Sequence, residues 1–152
     1  MRVAEIMTDA AVTDSTTATL RSAAETMWRQ QTGSLVIVAG STIVGIVTER
    51  DILKAIARGA QPDAESITSV MSTELITVTS DTSVREAARL MAQNWIRHLP
   101  IMSEGKLVGV LSQRDVTGVF AALGHDVGVP EADVANLVRE RRLARIEAGD
   151  LD

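Results

Sequence analysis

Thr48, Arg50 and Asp51 close the stretch GIVTERD (Gly45 to Asp51), and Ser112, Arg114 and Asp115 close a near-copy, GVLSQRD (Gly109 to Asp115). In each, a hydroxyl stands three residues ahead of a carboxylate, where an apolar β-branched run gives way to a helical pattern. Thr-x-x-Asp at a helix start is a capping arrangement, its hydroxyl and carboxylate each accepting from otherwise unpaired backbone N–H groups. The same residues can serve a ligand. Free N–H groups and the positive end of the helix dipole suit a phosphate, while the carboxylate can accept two hydroxyl protons from a ribose. The two roles are compatible, because a cap oxygen can be shared. Gly45 and Gly109 would let backbone or ligand approach closely.

A further set of donors lies in the segment Ile96-Arg97-His98-Leu99-Pro100-Ile101. Arg97 offers forked donors for phosphate, His98 adds another, and Pro100, which lacks an N–H, prefers a strand edge, where a groove would lie. An Arg-His pair on an ordinary surface is the competing reading. Lys54, one helical turn beyond Asp51, is within reach of a phosphate there, against the plainer role of an exposed structural lysine. Catalysis has less to work with: there are two histidines and no cysteine. Neither histidine sits in a local catalytic signature, and no P-loop, dinucleotide fingerprint or HExxH is present. Independent enzymatic activity, thiolate metal sites and disulfides are therefore not expected.

The chain has 152 residues, 45% of them hydrophobic, with a net charge of -5. That length buries roughly two thirds of the unfolded surface and supports one domain or two small ones. Acidic charge and 2% aromatic content disfavour generic nucleic-acid binding. The N-terminal MRVAEIMTDA is too interrupted by acids for a signal peptide, and no apolar run is long enough to span a membrane. A soluble, cytoplasmic protein is expected.

An offset of 64 positions superimposes the chain on itself without a gap: Met7 on Met71, Thr13 on Thr77, Arg21 on Arg85, Met27 on Met91, Leu35 on Leu99, and Arg50-Asp51 on Arg114-Asp115. This is an internal duplication. Each copy reads β-α-β-β-α: an extended piece, a helix (about Ala18 to Gln31, and about Val84 to Asn94), two strands, and a second helix. The strands are LVIVAG and TIVGIVT around Gly40-Ser41, and LPIM and KLVGVLS around Glu104-Gly105. The closing helices run from Glu49 toward Gly59 and from Gln113 to about Leu123. The expected organisation is repeat one at residues 3–59, a linker at 60–66, repeat two at 67–124 and a helical tail at 125–152. VAEIM and ITSVM read as leading segments. The tail predicts a helix from near Pro130 to Gly149, whose Arg139, Arg141, Arg142 and Arg145 mark a solvated face or a partner or phosphate contact. His125-Asp126 reads as a C-terminal cap of the helix before it. The whole predicts an α+β fold, two repeats packed as one pseudo-twofold module with a C-terminal helix.

The doubled order, the IRHLPI segment, the two glycine-to-aspartate junctions and Ile76-Thr77-Val78 together resemble a tandem pair of CBS domains, named for cystathionine beta-synthase. The resemblance covers roughly Val3 to Gly124. It implies a regulatory module that binds adenosine-containing ligands (AMP, ADP, ATP, sometimes S-adenosylmethionine) in clefts between the repeats. It also suggests a homodimer formed through helical faces. In such modules the clefts are crossed, so one would use Thr48, Arg50 and Asp51 with Thr77, Val78, Arg97, His98, Leu99 and Pro100. The other would use Ser112, Arg114 and Asp115 with Thr13, Ser34, Leu35 and Val36. Copy one lacks the counterparts of Arg97 and His98, and Asp14 replaces the usual apolar residue, so a phosphorylated ligand is expected in the Asp51 cleft. No cofactor is required, and signalling would go to another protein. The rival readings are a constitutive scaffold with empty clefts, its junctions serving only as caps, and a nucleic-acid-binding regulator using the Arg-rich tail.

Overall fold

The structure, a computed structural model, describes residues 1–9, 12–125, 135 and 139–140. The chain forms two compact units: Ala11–Leu75, and Met1–Ala10 together with the chain from Ile76 onward.

In the first unit, β2 (Thr13–Ser15) leads to α1 (Leu20–Gln30), the hairpin β3 (Ser34–Ala39) and β4 (Thr42–Thr48), and α2 (Glu49–Ala57); β1 (Thr8–Asp9) belongs to the other unit. The sheet runs β2-β3-β4, with β2 parallel to β3 and β3 antiparallel to β4. Gly40 makes the hairpin turn at φ +63°, a conformation that glycine adopts without steric cost. Thr19 and Ser22 cap α1 reciprocally, Ser22 N donating to Thr19 Oγ1 at 3.2 Å and Thr19 N to Ser22 Oγ at 2.9 Å. Leu20, Ala23 and Met27, one stripe at helical spacing, are buried with Leu35, Ile37 and Val47 from the sheet.

The second unit repeats the plan with β5 (Val78–Thr79), α3 (Val84–Asn94), β6 (His98–Ser103), β7 (Lys106–Ser112) and α4 (Gln113–His125). Ser83 caps α3 by accepting from Glu86 N at 3.1 Å, and Val84, Ala87 and Met91 form its buried stripe. The β6–β7 turn places Glu104 at φ 48° and Gly105 at φ 76°, the two positive angles of a type I′ hairpin. The α+β class, the doubled element order and the duplicated hairpins are thus as expected. The tail helix lies largely outside the described residues. Ala135, Arg139 and Glu140 are helical, and Arg139 Nη2 donates to Ala4 O at 3.0 Å, which ties that arginine to the N-terminal segment. No helix among the described residues is long and apolar enough to cross a membrane.

The leading segments are exchanged. Val3 and Ile6, both fully buried, join the core of the unit built from the second repeat, and β1 (Thr8–Asp9) pairs with β7, Thr8 opposite Val110. Reciprocally, Ile67 is fully buried in the core of Ala11–Leu75, and Ser72 pairs with Ile46 through bonds of 2.9 and 3.0 Å. Each compact unit in space therefore takes its leading segment from the other half of the duplicated sequence. The glycines explain how. A Cβ on Gly45 would stand 2.5 Å from Met71 Sδ, and one on Gly109 would stand 2.6 Å from Thr8 O and 2.8 Å from Met7 Sδ. The close approach that these glycines allow is by the protein's own leading segments.

Residues 60–66 are more than a connection. The first N–H groups of an α-helix have no partner within it. Leu20 N donates to Glu65 O (3.1 Å) and Arg21 N to Pro62 O (3.0 Å), while the Arg21 guanidinium grips the Asp63 carboxylate. That hydrogen bond lowers the pKa of the exposed Asp63 below its ordinary value.

Two predictions follow from this packing. Ala at residue 109 must displace a backbone carbonyl, whereas Ala at residue 45 meets chiefly a flexible thioether. Gly109→Ala should cost about 1–3 kcal/mol and Gly45→Ala clearly less, read from urea unfolding midpoints. Trp95 ends α3 in the left-handed region (φ 55°) and is 89% exposed. Trp95→Gly removes that strain and loses little burial, so the melting temperature should rise, by an amount corresponding to about 0.5 kcal/mol after the glycine's greater unfolded-state entropy is subtracted. A fall would show that the indole packs in solution.

Candidate functional site

Both junctions are built alike. Strand β4 ends at Thr48, which keeps an extended backbone (φ -119°, ψ 163°) and so turns its side chain back over the first turn of α2. Thr48 Oγ1 accepts from Asp51 N (3.4 Å) and donates to Asp51 Oδ2 (2.9 Å), and Thr48 N donates to the same Oδ2 (2.8 Å). At the other junction Ser112 Oγ accepts from Asp115 N (3.2 Å) and donates to Asp115 Oδ2 (2.6 Å), with Ser112 N donating to that oxygen at 3.3 Å. The capping reading of these residues therefore describes bonds that exist.

The cap uses one oxygen of the carboxylate. Among the described residues no hydrogen bond reaches Asp51 Oδ1, which is left to accept from elsewhere. The two aspartates differ in access: Asp51 is half-buried, whereas Asp115 is 7% exposed. Asp51 also borders a hollow of about 500 Å³ that lies wholly within its own unit. Lys54 and Arg58 continue that wall along α2, and Glu65 and Ser69 from the following segment are on it too. Reading the sequence missed Arg58, Glu65 and Ser69. The signal available was the spacing Asp51, Lys54, Arg58, which puts three charged groups on one helical face.

Within Ala11–Leu75 the structure brings Thr13, Ser34, Leu35 and Val36 to the strands beside Thr48: Thr13 lies opposite Val36, and Ser34 opposite Thr48. Within the other unit His98 lies opposite Ser112, Arg97 O accepts from Gln113 N at 2.8 Å, and Val78 lies opposite Ile101. Each of the two expected groupings thus draws its hydroxyl and carboxylate from one unit and its strand residues from the other. Leu35 and Leu99 are fully buried core side chains. Ser34 is 4% exposed, Thr13 and Thr77 are exposed, and Val78 is buried. Arg50 and Arg114 are exposed on the first turns of α2 and α4.

Pro100 corrects an expectation. It stands in β6, an interior strand between β7 and β5, not at a sheet edge. In the first unit the corresponding residue, Val36, donates its N–H to Val12 O (3.1 Å) and extends the parallel pairing back to Thr13. Proline has no N–H to give, so β5 pairs only from Val78 and Thr77 falls outside the ladder. The interior position is tolerated because pairing on that side begins after it.

Among the described residues no group of three or more His, Asp or Glu could hold a metal ion. The chain is 35% identical over 115 residues to the CBS domain-containing protein YhcV of Bacillus subtilis, which covers 75% of this chain and 81% of that protein. It is 38% identical over 120 residues to an uncharacterised protein of Methanopyrus kandleri, covering 77% of this chain and 61% of that longer protein. Among solved structures, the CBS domain protein PAE2072 of Pyrobaculum aerophilum, complexed with AMP, is 33% identical with a TM-score of 0.70 over 76% of this chain and 89% of that one. The CBS domain pair of protein MJ0100, solved with 5'-methylthioadenosine and S-adenosyl-L-methionine, is 25% identical with a TM-score of 0.74 over 80% and 97%. The family model for the CBS domain matches residues 3–58 and again 67–122, and the chain belongs to the CBS domain family as a tandem pair.

Proposed function

We propose that the chain is a regulatory module that senses an adenosine-containing ligand and passes the signal to a partner protein. Asp51 carries the reading. Its carboxylate is fixed by one oxygen in a helix cap, keeps a second oxygen without an internal donor, and borders a hollow. A carboxylate so held is pre-oriented, which lowers the cost of gripping a ribose diol. Support for the ligand class comes from relatives solved with AMP, 5'-methylthioadenosine and S-adenosyl-L-methionine.

In the proposed arrangement Thr48 and Asp51 hold the ribose, and the N-terminal amides of α2 with Arg50, Arg97 and His98 serve the phosphate of AMP, ADP or ATP. Thr77, Val78, Leu99 and Pro100 supply the backbone and apolar surface for the base. The Asp115 set, with Ser112, Arg114, Thr13, Ser34, Leu35 and Val36, is the weaker candidate, because Asp115 is 7% exposed. Exposed Leu53 and Ile56 on α2 and Phe120 and Leu123 on α4 are the apolar surface on which homodimerisation would draw. Ligand binding regulates a partner only through a difference in affinity between two states of the module.

Thermal unfolding of the purified chain with AMP, ADP, ATP and S-adenosylmethionine tests the proposal. A ligand at about a hundred times its dissociation constant should add roughly 2.7 kcal/mol of stability. Asp51→Asn, which keeps a cap acceptor but loses the charge, should abolish most of that gain, and Arg97→Ala should weaken phosphorylated ligands more than adenosine. No shift with any compound would instead make the chain a constitutive scaffold whose junctions are caps alone.

A further inference from the structure

With six methionines and no cysteine, the sulfur chemistry of this chain belongs to thioethers. Met27 and Met91 are closed off in the buried stripes of α1 and α3, at 6% and 2% exposure. Met7 and Met71, one repeat offset apart, are half-buried instead. Both occupy the same kind of seat. Each donates its N–H to the carbonyl four residues earlier, Met7 to Val3 O at 2.9 Å and Met71 to Ile67 O at 3.0 Å. Each then lays its sulfur over a hairpin glycine, in the space that a Cβ would fill: Met71 Sδ stands 2.5 Å from that point at Gly45, and Met7 Sδ 2.8 Å from it at Gly109. Beside the sulfur in that space is a carbonyl oxygen, Ser72 O at Gly45 and Thr8 O at Gly109. Around them lie the apolar clusters of the two units, against which both methionines pack.

Such a seat accepts a thioether and resists a sulfoxide. A sulfoxide oxygen is a strong acceptor, and turned toward the strand it would meet a glycine Cα and a carbonyl oxygen, neither of which can donate to it. Turned toward water, it leaves a polar, hydrated group in packing made for an apolar side chain. Either orientation weakens the seat. We infer that Met7 and Met71 are paired oxidation sites, through which a peroxide loosens both leading segments from their hairpins. In the step itself a sulfur lone pair takes one peroxide oxygen, the O–O bond breaks, and the departing hydroxide gains a proton and leaves as water. The sulfur is oxidised by two electrons and the peroxide reduced by two. A reductase that draws two electrons from a pair of thiols reverses it, returning the thioether and releasing water and a disulfide. Because the sequence is duplicated, one oxidant acts on both seats alike.

The experiment treats the full chain with graded hydrogen peroxide, locates sulfoxide by peptide mass spectrometry, and follows urea unfolding and amide hydrogen exchange. It compares the wild type with a Met7→Leu, Met71→Leu double variant and with Met102→Leu, a control at another half-buried methionine, in β6. Leucine keeps the apolar volume without the oxidisable sulfur. In the wild type, sulfoxide should form at residues 7 and 71 before residues 27 and 91, and the urea midpoint should fall in step. The Ile46 and Ser72 amides, which bond to each other's carbonyls across one seat, should exchange about tenfold faster. Methionine sulfoxide reductase should restore both readings. At the same dose the double variant should hold its midpoint, whereas Met102→Leu should lose stability as the wild type does. The inference is overturned by an equal fall in the double variant, by sulfoxide at both sites with midpoint and exchange unchanged, or by a folded chain that takes up sulfoxide at neither site.

Discussion

At Gly109 the space that a methyl group would fill holds the Thr8 carbonyl, and at Gly45 it holds the Met71 thioether. On these two close approaches rests the whole arrangement of leading segments. A strand that carried a side chain there would push the segment away, and with it the residues the segment brings: Val3 and Ile6 to one core, Ile67 to the other. Each is fully buried, and a buried aliphatic side chain contributes roughly 1.5–3 kcal/mol relative to exposure. For a core assembled from a repeat of about sixty residues, near the size at which a domain is marginal, that is a substantial fraction of the stability. Neither repeat completes its own core. The connectivity of the chain thus couples the two units, because a leading segment that leaves one unit is attached to the body of the other.

The coupling reaches the two capped junctions through the hairpins. Gly45 and Gly109 lie in β4 and β7, the strands that end at Thr48 and Ser112. A leading segment seated on the glycine therefore fixes the strand that delivers the cap. Three residues after the glycine comes the hydroxyl, and three after that the carboxylate, so the position of Asp51 is set by a short, stiff path of pleat and first turn. The cap completes it by holding Oδ2 with bonds from Thr48 N and Oγ1. What is left of the carboxylate is an oxygen of defined direction. The stabilising role and the proposed binding role fall on different atoms of one side chain, so the cap does not weigh against the proposal.

Much of this was legible in the amino-acid sequence, and the parts that were not share a cause. The hairpins were readable because β-branched runs flank Gly40-Ser41 and Glu104-Gly105, and the helices because Leu20, Ala23 and Met27 or Val84, Ala87 and Met91 repeat at helical spacing. The junction caps followed from residue type and spacing alone. All of these are local. The exchange of leading segments is not, because VAEIM and ITSVM look alike, and pattern cannot say which hairpin each one seats upon. Residues 60–66 read as a linker on composition, while their carbonyls go to the first turn of α1, a partner some forty residues earlier in the chain. Pro100 suggested an edge, since the rule concerns hydrogen bonds; the structure satisfies the rule by starting the β5 pairing one residue later. Arg58 and Glu65 escaped notice because a charge on an exposed helix or loop is ordinary until a hollow is found beside it.

The duplication makes the differences between copies informative, since a pair of positions shares backbone and separates only by side chain. Val36 and Pro100 occupy equivalent places, and the exchange of an N–H for a ring shortens one parallel pairing and leaves Thr77 outside it. Gln31 and Trp95 both end a helix in the left-handed region, at φ 54° and 55°, so the strain is a property of the fold and the exposed indole a property of one copy. Asp51 and Asp115 carry the same cap, yet one is half-buried beside a hollow and the other 7% exposed. Symmetric capping with asymmetric access is what a duplicated structural device becomes when only one copy is kept open to solvent. The same three cap bonds are made at both junctions, so the cap does not account for the difference in access.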